Sequence, residues 1–126
     1  MAINSKQKGA KFERQLASVF REEYGYKDSR RTAQYCGNTG DASDVVGLPG
    51  IHVEAKHQEK MHLYDWIDQA KRDAAAGGKG NLPVVFHKKN RHEILASMPL
   101  DVFMKIYQEY ESSIALKEGV SNEQSN

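Results

Sequence analysis

Leu48-Pro49-Gly50 separates two short runs of strand-forming residues, Asp44–Gly47 and Ile51–Lys56. A three-residue loop of this composition joins antiparallel strands. The hairpin constrains the chain more than any other feature, because the loop sets the register. Pairing outward places Gly47 against Ile51, Val46 against His52, Val45 against Val53 and Asp44 against Glu54. Strand side chains alternate between faces. Val45, Val53 and Ala55 therefore share one face, which suits a core. Glu54 and Lys56 share the other, with Asp44 directly opposite Glu54. A bulge would shift this register. Facing Cβ atoms lie about 4.5–5.5 Å apart, and like charges there repel. Either one carboxyl is protonated or a cation lies between them. Hard oxygen donors without a cysteine–histidine set point to Mg²⁺ or Mn²⁺ rather than zinc. Mg²⁺ held by one or two carboxylates completes its shell with water and phosphate.

Helical patterns flank the hairpin. The first helix is expected over Ser5–Tyr24, capped by Asn4 or Ser5 and ended by Gly25, with Leu16, Ala17, Phe20 and Tyr24 as its apolar stripe. Glu13 falls on or beside that buried face. An unpaired carboxylate there is costly, so a basic side chain, a capping role or a metal should compensate it. Residues 26–41 read as loop or irregular strand. The second helix lies within residues 61–78, lined by Leu63, Trp66, Ile67, Ala70 and Ala74 and stopped by Gly77-Gly78. Gln69 sits at the edge of that stripe. "LPVVFHKK" and "HEILASM" are the third and fourth strands. Pro99 opens a last helix, with Leu100, Phe103, Met104 and Tyr107 expected to face inward. The order is α-β-β-α-β-β-α, an α/β (α+β) fold in which helices pack on a small mixed sheet. Residues 1–112 form one expected domain, and residues 113–126 a polar, frayed tail.

Charge is uneven along the 126 residues. The net charge is +1, yet residues 1–31 carry eight Lys/Arg against four Asp/Glu. "HKKNRH" (87–92) adds three more cations. Such clustering provides a phosphate-binding surface even in a near-neutral chain. A single cysteine, Cys36, excludes an internal disulfide framework. No apolar run is long enough to span a bilayer, and the N-terminus lacks an apolar signal core. A cytoplasmic protein, with no membrane and no small-molecule cofactor, is expected. "HEILA" fails as a zinc-protease motif because Ala96 replaces the second histidine. "GGKGN" lacks the Lys-Ser/Thr of a phosphate loop. His52, His57 and His62 could approach the site and are read as non-ligands. Cys36 has no assigned base beside it, so no cysteine enzyme follows.

Asp44, Glu54 and Lys56 in the pattern D-x9-E-x-K resemble the PD-(D/E)xK nuclease superfamily. "KGAKFERQLASVF" before them and "WIDQA" after them are similar to archaeal-type Holliday junction resolvases and their phage relatives. The likeness spans most of residues 6–110. It departs at Ser43, which stands where the family name has proline. The resemblance implies a restriction-endonuclease-like core and a metal-dependent DNA endonuclease. Asp44 and Glu54 would be the principal metal ligands, the Ala55 carbonyl a further one, and Glu13 a helix carboxylate acting directly or through water. Lys56 would orient water or stabilise negative charge, and Gln69 matches a glutamine often found on the following helix. Mg²⁺ is the expected metal, with Mn²⁺ able to substitute. Lys6, Lys8, Lys11, Arg14, Arg30 and Arg31 would grip backbone phosphates, and Thr39 or Ser43 could be a loop residue near DNA. The expected substrate is branched DNA, most specifically a four-way junction, and the expected assembly a two-fold homodimer. A restriction-like, nicking or repair nuclease of the same fold, or an inactive nucleic-acid-binding module, are the alternatives.

Overall fold

A computed structural model describes the backbone of residues 5–32 and 43–125, and the side chains of residues 6–32 and 43–119. Helix α1 (Ser5–Glu22) is followed by strands β1 (Arg30–Arg31), β2 (Val45–Val46) and β3 (Ile51–His57). Then come α2 (Leu63–Gly77), β4 (Leu82–Lys88), β5 (Leu95–Ser97) and α3 (Leu100–Ser125). The five strands form one sheet in sequential order, with β3 in the middle. Only β3 and β4 run parallel, and α2 is the crossover that parallel neighbours require. The architecture is a mixed α+β sheet with three helices, consistent with a restriction-endonuclease-like fold. No helix among the described residues is long and apolar enough to cross a membrane.

The hairpin register follows the loop as far as Val45, which pairs with Val53; Asp44, expected directly opposite Glu54, instead bonds through its amide to the Val53 carbonyl. Val45 and Val53 are fully buried, against Leu16, Ala17 and Phe20 of α1. The opposite face of β3 turns to α2, where Trp66 and Ala70 bury Val85. The hydrophobic core is thus split by the sheet, and the polar row His52, Glu54, Lys56 runs beneath α2.

Several details differ from the sequence pattern. Arg30–Arg31 forms an added edge strand against β2, within a stretch expected as loop or irregular strand. Helix α1 ends at Glu22. Gly25 takes φ 81° and closes the helix with paired bonds, Gly25 N to the Arg21 carbonyl and Tyr26 N to the Phe20 carbonyl. That closure carries Tyr24 out to solvent, while Phe12, outside the expected stripe, is 1% exposed. Finally, Leu100, Phe103, Met104 and Tyr107 do not face inward; all four are exposed. α3 meets β4 near its start, where Val102 is buried, and every described side chain from Phe103 onward lies in solvent. The helix also runs through the segment expected as a tail.

Candidate active site

The site forms where β2 peels away from β3. The Asp44 amide donates to the Val53 carbonyl at 2.8 Å, although Val53 already pairs with Val45. Two residues of one strand therefore meet one of the other, a bulge that re-aims the Asp44 side chain. Its Oδ2 accepts from the Ala55 amide at 2.8 Å, so the carboxyl caps the strand where the backbone ladder stops. The Asp44 main chain is held from the other side, its carbonyl accepting from the Thr32 amide at 3.0 Å.

Glu54 is 2% exposed and comes close enough to Asp44 for the two carboxyls to interact. Burial, then the charge of Glu54, pushes the Asp44 carboxyl up to about 8, with Glu13 adding to the rise and the Ala55 amide opposing it. Such a value marks a carboxyl that is buried first and crowded by like charge second. Oxygen donors from α1, the β2 approach and β3 converge there. A hard divalent cation fits that donor set, since it would relieve the repulsion that the chain's own cations leave uncompensated.

Lys56 does not supply that compensation directly. Its Nζ donates to Gln69 Oε1 at 2.9 Å, so the α2 amide aims the ammonium. Glu13 is 9% exposed and accepts from Arg31 Nε at 2.6 Å. The compensating group that its burial calls for is thus a basic side chain from the added edge strand. Arg31, considered above for DNA contact, is engaged in holding α1 against β1. Ser43 is also turned inward. It is 3% exposed, and its hydroxyl lies 3.0 Å from His52 Nδ1. Thr39, like Cys36, lies outside the described residues.

His52 was not marked by its spacing as a ligand, yet it is central here. Its Nε2 lies 3.0 Å from Glu54 Oε1, with both side chains 3% exposed. Alternation alone places His52, Glu54 and Lys56 on one face. That signal was in the sequence, but nothing there placed Asp73 of α2 beside them. One ligand atom from each of His52, Glu54 and Asp73 lies within 4.8 Å of the others.

Basic residues gather on the α1 side. Lys8, Lys11, Phe12, His57, Lys88 and Asn90 line an open cleft of ≈ 480 Å³. His57 Nε2 lies 2.9 Å from Asn90 Oδ1. Burial holds the His57 imidazole below its ordinary pKa, and the Lys8 and Lys88 charges act in the same direction. Lys6, Lys11, Arg14 and Arg30 are exposed, and Lys8 is half-buried.

The chain matches the family model described as "Phage putative PDDEXK endonuclease" over residues 4–125. It belongs to that family. No curated protein and no solved structure gives a significant match. Membership places the chain in the PD-(D/E)xK superfamily, whose nucleases act on DNA and typically use divalent metals.

Proposed function

We propose that this protein is a Mg²⁺-dependent endonuclease for branched DNA, a junction-resolving enzyme that works as a two-fold dimer. The approach of Asp44 and Glu54 at one bulged strand junction, with Lys56 two residues along β3 on the Glu54 face, carries the catalytic part of this reading. Asp44 and Glu54, with the Ala55 carbonyl, would hold the ion. A bound Mg²⁺, or Mn²⁺ in its place, supplies Lewis-acid polarisation of the scissile phosphate and a more acidic water. Lys56, aimed by Gln69, offers positive charge where negative charge builds during attack on phosphorus. Glu13 carries a further carboxylate to the rim, steadied by Arg31. Lys8, Lys11 and Lys88 line a cleft suited to neighbouring backbone phosphates, contacts that position DNA without reading sequence. Exposed Lys6, Arg14 and Arg30 extend the same role.

The preference for a four-way junction rests on the resemblance of the α1 and α2 segments to resolvases. Purified protein mixed with a labelled four-way junction and with linear duplex of matching sequence tests it. Paired symmetric nicks in the junction alone, lost with EDTA and in Lys56→Ala, are expected. Cutting of linear duplex would move the substrate to a restriction-like or repair class. Tight binding in EDTA with no cleavage in Mg²⁺ would leave a nucleic-acid-binding module.

The dimer is supported by α3. Leu100, Phe103, Tyr107, Tyr110 and Ile114 recur at alternating spacings of three and four, the period of a coiled-coil seam. All five are exposed, and Tyr107 makes ring contacts with both Phe103 and Tyr110. Sedimentation at micromolar concentration should show a dimer for the native chain. Tyr107→Glu combined with Ile114→Glu should give a folded monomer that nicks one strand of a junction without pairing the cuts. A native chain that sediments as a monomer removes the dimer.

A further inference from the structure

Glu54 has a second set of neighbours that the proposed hydrolysis does not use. His52 and Glu54 lie two residues apart on the α2-facing side of β3, each 2% exposed. Asp73 reaches them from α2, one turn beyond Gln69, whose contact with Lys56 sets that helix over the strand. We infer that His52, Glu54 and Asp73 form a second divalent-cation site, selective for a borderline ion such as Zn²⁺ over Mg²⁺. It shares Glu54 with the proposed hydrolytic centre and rests on that reading in nothing else.

Geometry is the first support. Ligand atoms at about 2.0–2.2 Å from one ion are about 3 Å apart along a polyhedron edge. His52 Nε2 and Glu54 Oε1, 3.0 Å apart, already span such an edge. Asp73 lies within 4.8 Å of both, so a small closure of its partly exposed side chain completes a facial set. The donors come from a strand and a helix rather than a loop. An ion would therefore enter a frame that the fold has already built.

The imidazole is the second support. A histidine ligand is normally held by a hydrogen bond at its other ring nitrogen. Here Ser43 Oγ lies 3.0 Å from Nδ1. A hydroxyl both donates and accepts. With Nε2–H pointed at Glu54, Ser43 donates to Nδ1. With Nε2 presented to an ion, the proton resides on Nδ1 and Ser43 accepts it. Ser43 thus serves both tautomers without moving a heavy atom. One nitrogen with two carboxylates favours Zn²⁺, whereas the all-oxygen set around Asp44 suits Mg²⁺ or Mn²⁺.

Counting bound ions tests the inference, with calorimetric titration of the full chain by Zn²⁺ and Mn²⁺ separately. The native protein and Asp44→Asn should each retain the His52 site. Asp73→Asn should lose one equivalent, or at least tenfold in Zn²⁺ affinity at that site, with an unchanged circular-dichroism spectrum. His52→Gln, which keeps a donor toward Glu54, should do the same. Proton-coupled shifts of the His52 ring resonances on adding Zn²⁺ report ligation independently of cleavage. Normal Mg²⁺-dependent nicking with unaltered Zn²⁺ binding in Asp73→Asn and His52→Gln would overturn this site and leave the nuclease intact. Zn²⁺ bound through His52 in a protein that never cuts DNA would uphold the site and overturn the nuclease reading.

Discussion

Asp44→Asn is expected to lower DNA cleavage in Mg²⁺ by at least about 10³-fold, the scale on which removing one member of a catalytic unit acts. The same substitution should stabilise the metal-free protein above neutral pH. These opposite effects have one cause. In the metal-free state the Asp44 carboxyl is pushed from 3.8 up to about 8, first by burial and then by the Glu54 charge. The folded protein therefore binds that proton more tightly than the unfolded chain does. Its contribution to stability is complete below pH 3.8, falls as pH rises, and is gone once pH passes about 8. The loss is at most about 1.4 kcal/mol per pH unit within that window. Asparagine is isosteric and stays neutral, so its thermal midpoint should be nearly flat between pH 5 and pH 8 on the order set by this group alone. Mg²⁺ should restore the native protein at pH 8 and leave Asp44→Asn unmoved. Thermal melts of both proteins across that range, with Mg²⁺ or EDTA, measure all of this. A native midpoint that does not fall with pH in EDTA would mean that the two carboxyls are not in repulsive contact. Retained cleavage by Asp44→Asn would remove Asp44 from the chemistry.

The hairpin was the most legible part of the fold because its information is local. Leu48-Pro49-Gly50 fixes the register, alternation fixes the faces, and Val45 does pair with Val53. The same logic put Asp44 opposite Glu54, whereas the bulge at Val53 is what brings the two carboxyls together; helical periodicity brought Gln69 to Lys56. What escaped the sequence depends on contacts between distant segments. Two residues, Arg30 and Arg31, make too short a run to show a strand period, so β1 is visible only once β2 lies beside it. Arg31 as the partner of Glu13 follows from that pairing, 18 residues away. Asp73 reads as one more polar residue of an amphipathic helix until α2 is laid over His52. In α3 the apolar spacing was plain, but spacing alone cannot say which surface an apolar stripe will cover. Leu100, Phe103 and Tyr107 have the spacing of a core face and lie outside the core.

Gly47→Ala should unfold much of what holds the site. Gly47 sits at φ 92°, where a Cβ is strained whatever the surrounding space. A Cβ there would also meet the Asp28 carbonyl carbon and oxygen and the Ser29 Cα at 2.5 Å. These are backbone atoms, so no rotamer change relieves the contact. The segment that must retreat leads directly into β1, where Arg30 pairs with Val46. Displacing it would pull Arg31 from Glu13 and Thr32 from the Asp44 carbonyl, loosening two of the site's carboxylates at once. Strain of about 1–3 kcal/mol for the backbone alone, with overpacking of similar size added, amounts to about 2–6 kcal/mol. A loss of that size lowers the thermal midpoint by roughly 6–30 °C in a chain of this length. Gly50→Ala is the control. Gly50 has φ 80° but nothing within 4 Å of its would-be Cβ, so only the conformational cost of about 1–2 kcal/mol applies. Thermal melts of the two variants separate close approach from left-handed backbone. A fall in Gly47→Ala at least twice that in Gly50→Ala, with weakened Mg²⁺-dependent cleavage, is the expected result. Equal falls would mean that the β1 segment yields freely, and that the packing of Asp28–Ser29 on Gly47 does not hold Arg31 and Asp44 in place.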